Sequence, residues 1–393
     1  MRPMLCTCLL ISAMLVSGCW DRTEINDLAF ITGSAFDLTK DKKFLLSVQI
    51  AVPSSSQGGP EGAGNGTQER FFVLSATGKN TNDAFQKIQQ KSSRKLFTAH
   101  RSVIFVGEAF GREKGVNDVL DVYAHDPRQR LRTYIMVVKG GTALEILQTH
   151  YPFEQVPIEA VKEMEGLRSE LAVTLRDFFV EASGEGINPV TGVIEVQHSP
   201  GGSNDKNNIF KLAGSALFKD LKVVGFLDGV DTDGFMWATD RMKHGRVSTE
   251  LPNGAGIVGV MLNHADRKIK AEVIGDRIKV NIRLSGQGSL VENNSALDIS
   301  RPKNVALVEK CLEKTVQKQV RSTIDKLQRQ YKVDSIGFGR DIYQNRPKQW
   351  NAVKSQWDPK YQNAEVSIEV KIQLKGSGMA GPPLQLKDKE TIH

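Results

Sequence analysis

One cysteine in this chain stands where its thiol has defined chemistry to do. Cys19 follows Leu15-Val16-Ser17-Gly18 and precedes Trp20-Asp21. An apolar stretch, two small residues and then a cysteine is the pattern of a lipoprotein signal peptide. In that chemistry the thiol takes a diacylglyceryl group, cleavage follows Gly18, and the new amino terminus is acylated in turn. Two or three acyl chains, palmitate among them, are needed because each buried methylene contributes about 0.8 kcal/mol and one chain binds marginally. Upstream lie one cation, Arg2, and an apolar run from Leu9 to Val16. That run is too short to span a bilayer and has the length of a secretory h-region. The competing reading is a plain secretory signal with Cys19 near the cut by chance.

The other arrangements that could carry chemistry are weaker. Gly254-Ala255-Gly256-Ile257-Val258-Gly259 has the spacing of a dinucleotide-binding loop, but Leu251-Pro252-Asn253 precedes it and a strand pattern follows. Such a loop needs a strand before and a helix after, so these glycines read as a turn. Asp231-Thr232-Asp233-Gly234, with Asp228 upstream, resembles a calcium loop, but the first ligand position falls on Gly229 and the last on Asp240. A solvated turn is favoured. Ser92-Ser93-Arg94-Lys95 has the Ser-x-x-Lys spacing without its companion elements. No two histidines share a ligand spacing, and no nucleophile, base and orienter can be assembled. The chain reads as a non-enzyme without cofactor or metal.

Composition agrees with an exported globular protein. The chain has 393 residues, 40% hydrophobic and 25% charged, and no second apolar run approaches a transmembrane length. Cys6 and Cys8 leave with the signal and Cys19 is lipidated, so Cys311 is alone and an internal disulfide or cysteine metal site is excluded. Net charge is +7, falling to +6 without Arg2, which suits an anionic lipid surface. No recognised motif accompanies it, and nucleic acid is not expected as a partner.

The elements alternate in a way that predicts an α+β, multi-domain protein: mixed sheets with packed helices, in about three domains after the signal at 1–18. Strands are expected at Leu28–Leu38, Lys43–Val52 and Arg70–Ser75, with Pro53–Glu69 a mobile loop because its Pro, Ser and Gly cannot bury enough apolar surface. Helices follow at Asn80 to Lys91, Val116 to Tyr123, Ala143–Gln148 and Thr174–Ala182. Strands are expected at Ser102–Val106, Thr133–Val138 and Val190–Val196. This gives an N-terminal α/β domain over 19–197. The polar stretch 198–208 reads as a linker, 209–250 as a middle domain, and 251–375 as a C-terminal α/β domain. The last contains three strands, Gly256–Leu262, Lys268–Ile274 and Arg277–Leu284, and a long helix over 304–331. The tail 376–393 is expected to be disordered. Between Asn304 and Lys332 seven basic residues stand against three acidic ones. They predict either an amphipathic helix with a solvated face or a surface for anionic lipid or an acidic partner.

Ordered pieces of the chain carry a family resemblance. Gly18 to Asp27, Ile31-Thr32-Gly33, Ser75 to Lys79, His100 to Glu108, Asp126-Pro127-Arg128, Gly214 to Lys219 and Gly225-Phe226-Leu227-Asp228-Gly229 resemble the Ger(x)C family. These are the C-subunit lipoproteins of spore nutrient germinant receptors. The likeness runs from about residue 15 to 375, with Phe226 where the family commonly has Trp. It implies a three-domain α+β fold and a place on the outer face of the spore inner membrane of an endospore-forming bacterium. The partners it implies are an integral-membrane A subunit and a transporter-like B subunit, required together for nutrient-triggered germination. The one functional residue carried over is Cys19, as the lipid attachment site; Asp21, Glu24 and Asp228 match family positions and read as cap or turn residues. The alternative is a solute-binding lipoprotein of a transporter, disfavoured by the absence of lobe duplication. A cell-wall hydrolase is disfavoured by the lack of a catalytic constellation.

Overall fold

The computed structural model describes residues 24–52, 70–167, 170–197 and 209–376. The expected loop over 53–69, most of the stretch between Val196 and Ile209, and the tail beyond Gly376 lie outside them. The first strands form an antiparallel meander, β1 (Leu28–Leu38), β2 (Phe44–Ala51) and β3 (Phe71–Gly78). Asn80 then caps α1 (Thr81–Gln89), its side chain accepting from the Asp83 amide at 2.9 Å. That satisfies one of the amides a helix start leaves free. β4 (Lys95–Phe97) and β5 (Val103–Gly107) both run parallel to β1, against Leu28–Phe30 and Gly33–Phe36 respectively.

Crossover through α2 (Glu108–Glu113) and α3 (Asn117–His125) returns the chain as β6 (Tyr134–Val138), parallel to β5. α4 (Ala143–Gln148), α5 (Pro157–Gly166) and α6 (Leu175–Ala182) lead to β7 (Val190–Gln197), parallel to β6. Asp37, at the end of β1, positions α4: its buried carboxylate accepts from the Ala143 and Leu144 amides at 2.9 and 2.8 Å. Burial pushes the Asp37 pKa up, against those two hydrogen bonds. β8 (Ile209–Lys219) and β9 (Lys222–Leu227) finish the sheet as a hairpin turning at Asp220-Leu221, φ +50° and +61°. The order is β3-β2-β1-β5-β6-β7-β8-β9, with β4 beside β1. Helices cover both faces, α4 and α5 through Ile146, Ile158 and Val161, and α1, α3 and α6 through Ile88, Leu120 and Phe178. This explains the near-continuous burial along β1 and β5.

The rest builds a second sheet. α7 (Gly229–Ala238) leads to β10 (Gly245–Glu250), β11 (Gly256–Ile274) and β12 (Arg277–Ser295). After α8 (Pro302–Asp325), a π-helical turn at Lys326–Tyr331 and α9 (Phe338–Asn345), α10 (Pro347–Val353) and α11 (Trp357–Gln362) precede β13 (Glu365–Gly376). The order is β10-β11-β12-β13, the last pair parallel. The buried stripe of α8, Val308, Leu312, Val316, Val320 and Ile324, is the one its spacing predicts. The polar stripe beside it serves the sheet edge. Glu309 and Glu313 accept from the Leu374 and Ile372 amides, while Gln317 and Arg321 donate to the Ile368 and Val366 carbonyls. Four residues at four-residue spacing thus occupy the open side of β13, which would otherwise invite pairing with another chain.

Two expectations need correction. The strands expected over Gly256–Leu262, Lys268–Ile274 and Arg277–Leu284 are two 19-residue strands, β11 and β12, paired along their lengths with register shifts near Val260 and His264. Polar residues from His264 to Arg267 read as a break, but the paired backbone carries them on the sheet. The helix over 304–331 is found as expected, α-helical to Asp325 and π-helical from Lys326 to Tyr331. Finally, the residues on either side of 198–208 are hydrogen-bonded partners, Gln197 with Ile209, in one sheet. The 209–250 segment is divided between the two sheets, β8 and β9 in the first and β10 in the second. The mixed sheets with packed helices are as expected.

Candidate functional site

Cys19, with Trp20 and Asp21, lies outside the described residues. Glu24 is exposed and makes no side-chain cap on the short turn Ile25–Asp27 that leads into β1. At the limit of about 3.5 Å per residue, Cys19 is within about 32 Å of Leu28. Leu28 opens β1, at the amino-terminal ends of the parallel strands.

An open cleft of about 910 Å³ lies at those ends. Phe30 and Thr32 of β1, Arg101 and Ser102 before β5, and Thr133 before β6 form its floor. α5 contributes Glu159, Lys162 and Glu163, and the start of α6 contributes Thr174, Arg176 and Asp177. Backbone hydrogen bonds fix the wall: the Leu175 amide donates to Thr133 O at 2.8 Å and the Arg176 amide to Leu131 O at 2.9 Å. In open α/β sheets, ligands usually gather at the carboxyl ends of the strands. This cleft is at the opposite end.

The charges around it fall into two groups. Lys162 pairs with Glu159 at 2.9 Å and with Glu163 at 3.8 Å. Buried Arg101 donates to the Tyr123 hydroxyl and, at 3.1 Å, to Gln129, and lies over the Tyr123 ring. Asp177 is held in a capping box with Thr174. By contrast Arg130, Arg132 and Arg176 are exposed, and no side-chain partner holds them among the described residues. Exposed Leu131 lies between the first two, and Leu167, 79% exposed, follows Gly166 at the lip. These residues were not singled out in the sequence. Their one local signal is Arg128-Gln129-Arg130-Leu131-Arg132, which alternates cations directly after Pro127.

Beneath α5 are carboxyl groups of another kind. Both oxygens of Glu165 are buried without a hydrogen-bond partner. Burial, helped by the nearby charge of Glu170, pushes its pKa up to about 8. Burial first, then the charge of Asp233, raises Glu170 to about 7, and burial raises Asp233 itself to about 6.

The Gly225-Phe226-Leu227-Asp228-Gly229 segment joins the two sheets. A Cβ at Gly225 would lie 2.0 Å from the Tyr331 ring, and the Tyr331 hydroxyl donates to Phe226 O at 2.7 Å. Leu227 is buried, and Asp228 caps α7 by accepting from the Asp231 amide at 3.0 Å. Gly214 has φ +103° and leaves no room for a Cβ beside Leu227 O. Ser215 bonds to Thr232 at 2.9 Å. Asp231 to Gly234, the possible calcium loop, is instead the first half of α7. There Asp231 pairs with Lys326, and Gly234 packs against the Gln319 backbone and Thr323.

The remaining motifs resolve into local structure. Gly254 and Gly256, φ +70° and +114°, turn the chain into β11 with no helix after them. Ser92 donates to Arg94 O at 2.8 Å, and Lys95 is exposed on β4. Among the described residues, no group of three His, Cys, Asp or Glu is placed to hold a metal ion, and Cys311 is a half-buried free thiol. Lys310, Lys314 and Lys318 form an exposed stripe on α8.

Comparison with known proteins gives consistent results over the whole chain. Residues 21–196 match the model of the spore germination protein N-terminal domain, and residues 213–378 match that of the spore germination B3/GerAC-like C-terminal domain. The chain is 29% identical to the protein YfkR of Bacillus subtilis (strain 168), over 95% of this chain and 96% of that protein. It is 26% identical to spore germination protein KC of the same organism, over 99% of each. The crystal structure of the GerBC protein shares the fold with a TM-score of 0.58 at 20% identity, covering 90% of this chain and 100% of that one.

Proposed function

This chain belongs to the Ger(x)C family of spore germination proteins, and on that basis we propose that it is the lipid-anchored C subunit of a nutrient germinant receptor. It acts without catalysing a reaction, beside integral-membrane A and B subunits. Acylated Cys19 holds it to the outer face of the spore inner membrane. The observation that carries the anchoring is the Leu15 to Cys19 pattern, directly before the start of the family match at residue 21.

Tethering confines the protein to a thin layer beside its partners, which raises effective concentration without any new contact. The described residues contain no helix long and apolar enough to cross a membrane. In this reading the two sheets are a scaffold that presents surface, and the family's Gly225–Gly229 segment keeps their relative placement fixed. Cys19→Ala tests it. The variant is expected to incorporate no labelled fatty acid, to leave the spore membrane fraction, and to impair nutrient germination. Normal germination by a soluble variant would contradict the importance of anchoring.

A further inference from the structure

We infer that the cleft at the amino-terminal ends of the parallel strands is a membrane-docking face. Arg130, Arg132 and Arg176 meet the headgroups of anionic lipids, and Leu131 and Leu167 enter the interface beside them. The inference rests on the anchoring proposed above and adds an orientation to it.

Four observations converge. The first is free charge: three exposed guanidinium groups have no side-chain partner among the described residues, whereas the acids nearby are engaged by Lys162 or by the α6 cap. Guanidinium is suited to phosphate because its planar fork donates two parallel hydrogen bonds. The second is the apolar component. Leu131 and Leu167 are 44% and 79% exposed, which costs free energy in water and suits a headgroup boundary where basic and apolar side chains mix. The third is rigidity: the Arg176 amide to Leu131 O hydrogen bond sets the arginine loop against the α6 start, so the charges are held together.

The fourth is position. Phe30, which lines the cleft, is eleven residues from Cys19 and so within about 40 Å of it along a fully extended chain. Lys95, exposed beside Leu28 in the parallel pair with β1, and exposed Arg94 add charge at the same end. Ile25, 72% exposed, is within about 11 Å of Leu28 by the same reach. An acyl anchor with one basic patch is a two-signal attachment, and basic residues near an anionic leaflet strengthen it. On the lysine stripe of α8 the large apolar residues beside the charges, Leu307 and Cys311, pack against the core instead of standing exposed.

The test uses the chain from Cys19 to His393, which holds every described residue, made without acyl groups. It is sedimented with vesicles of equal parts phosphatidylglycerol and phosphatidylcholine, and with phosphatidylcholine alone. The expected result is binding to the anionic vesicles that weakens as salt is raised, and none to the neutral ones. R130E/R132E/R176E is expected to lose at least about tenfold in affinity. K310E/K314E/K318E is expected to stay within about twofold. Melting temperatures check the fold, and R130Q/R132Q/R176Q replaces the charge reversal if that melts early. Failure of the unaltered chain to bind anionic vesicles, equal binding to neutral ones, an arginine variant that binds as well as the parent, or loss in the lysine variant instead would each overturn the inference. Because no acyl group is present, these outcomes are independent of the fatty-acid labelling that tests Cys19.

Discussion

The long helix of the second sheet and the cleft of the first both carry many charged residues, and they hold them in opposite ways. On α8, Glu309, Glu313, Gln317 and Arg321 each bond to the backbone of β13, so one polar stripe is a structural part of the sheet. Lys310, Lys314 and Lys318 next to it face solvent from a helix whose opposite side is buried. In the cleft, the acids are paired or capping and Arg101 is engaged by Tyr123 and Gln129, while Arg130, Arg132 and Arg176 are left over. Net charge alone ranks α8 as the better partner surface. Lys310, Lys314 and Lys318 are as exposed as the cleft arginines; what separates the two surfaces is exposed Leu131 and Leu167 beside the arginines.

The comparison is most directly broken through the α8 stripe. Glu309→Ala with Glu313→Ala removes two charge-assisted bonds to strand amides and opens the edge of β13. Chemical denaturation should show a loss of about 3–6 kcal/mol at about 1.5–3 kcal/mol per bond, with aggregation increased. Stability unchanged by that pair would mean the stripe is solvated and not structural. Gly225→Ala, at the joint between the regions, places a Cβ against the Tyr331 ring and should cost about 1–3 kcal/mol. A melting curve matching the parent would show that the two sheets adjust there freely.

The cleft side predicts a pH dependence. The folded chain keeps the Glu165 proton up to about pH 8, whereas the ordinary carboxyl value is 4.5. In the window between them the unfolded chain has released a proton that the folded chain still holds. Stability from this group is therefore complete below pH 4.5 and declines as pH rises, by up to about 1.4 kcal/mol per unit. Glu165→Gln removes that slope, so the variant should gain on the parent between pH 5 and 8 and not below. Parallel stability curves would show that Glu165 is ionised in the fold. The smallest effect is expected for R130A/R132A/R176A, within about 0.5 kcal/mol in thermal unfolding, as for surface residues without partners. A larger loss would show that these arginines are structural after all.

Much of the fold was legible because local signals agreed with it. Asn80 and Thr174 cap the helices that follow them, the α4 bounds Ala143–Gln148 match the periodic stretch, and the α8 stripe has helical spacing. What was missed depends on partners distant in sequence. Polarity over 198–208 marks a boundary in the sequence but carries no sign that the strands flanking it pair, Gln197 with Ile209. His264 to Arg267 looked like a break because three of its four residues are polar, although Ala265 is buried and Asp266 and Arg267 are half-buried on the sheet. α5 was missed although Pro157 starts it, since its apolar run is short and its Glu165 is buried as a neutral acid. The arginine cleft was invisible for a related reason: Arg130, Lys162 and Arg176 come together only when the β5–β6 and β6–β7 crossovers meet at one end of the sheet.

The central claim, membership of a membrane receptor complex, is tested most directly by affinity pull-down of tagged protein from gently solubilised dormant-spore membranes, read by mass spectrometry. The account predicts recovery of an integral-membrane pair, one of them transporter-like. Recovery with an ATP-driven importer, or with no membrane partner even after crosslinking, would contradict it and favour a solute-binding lipoprotein.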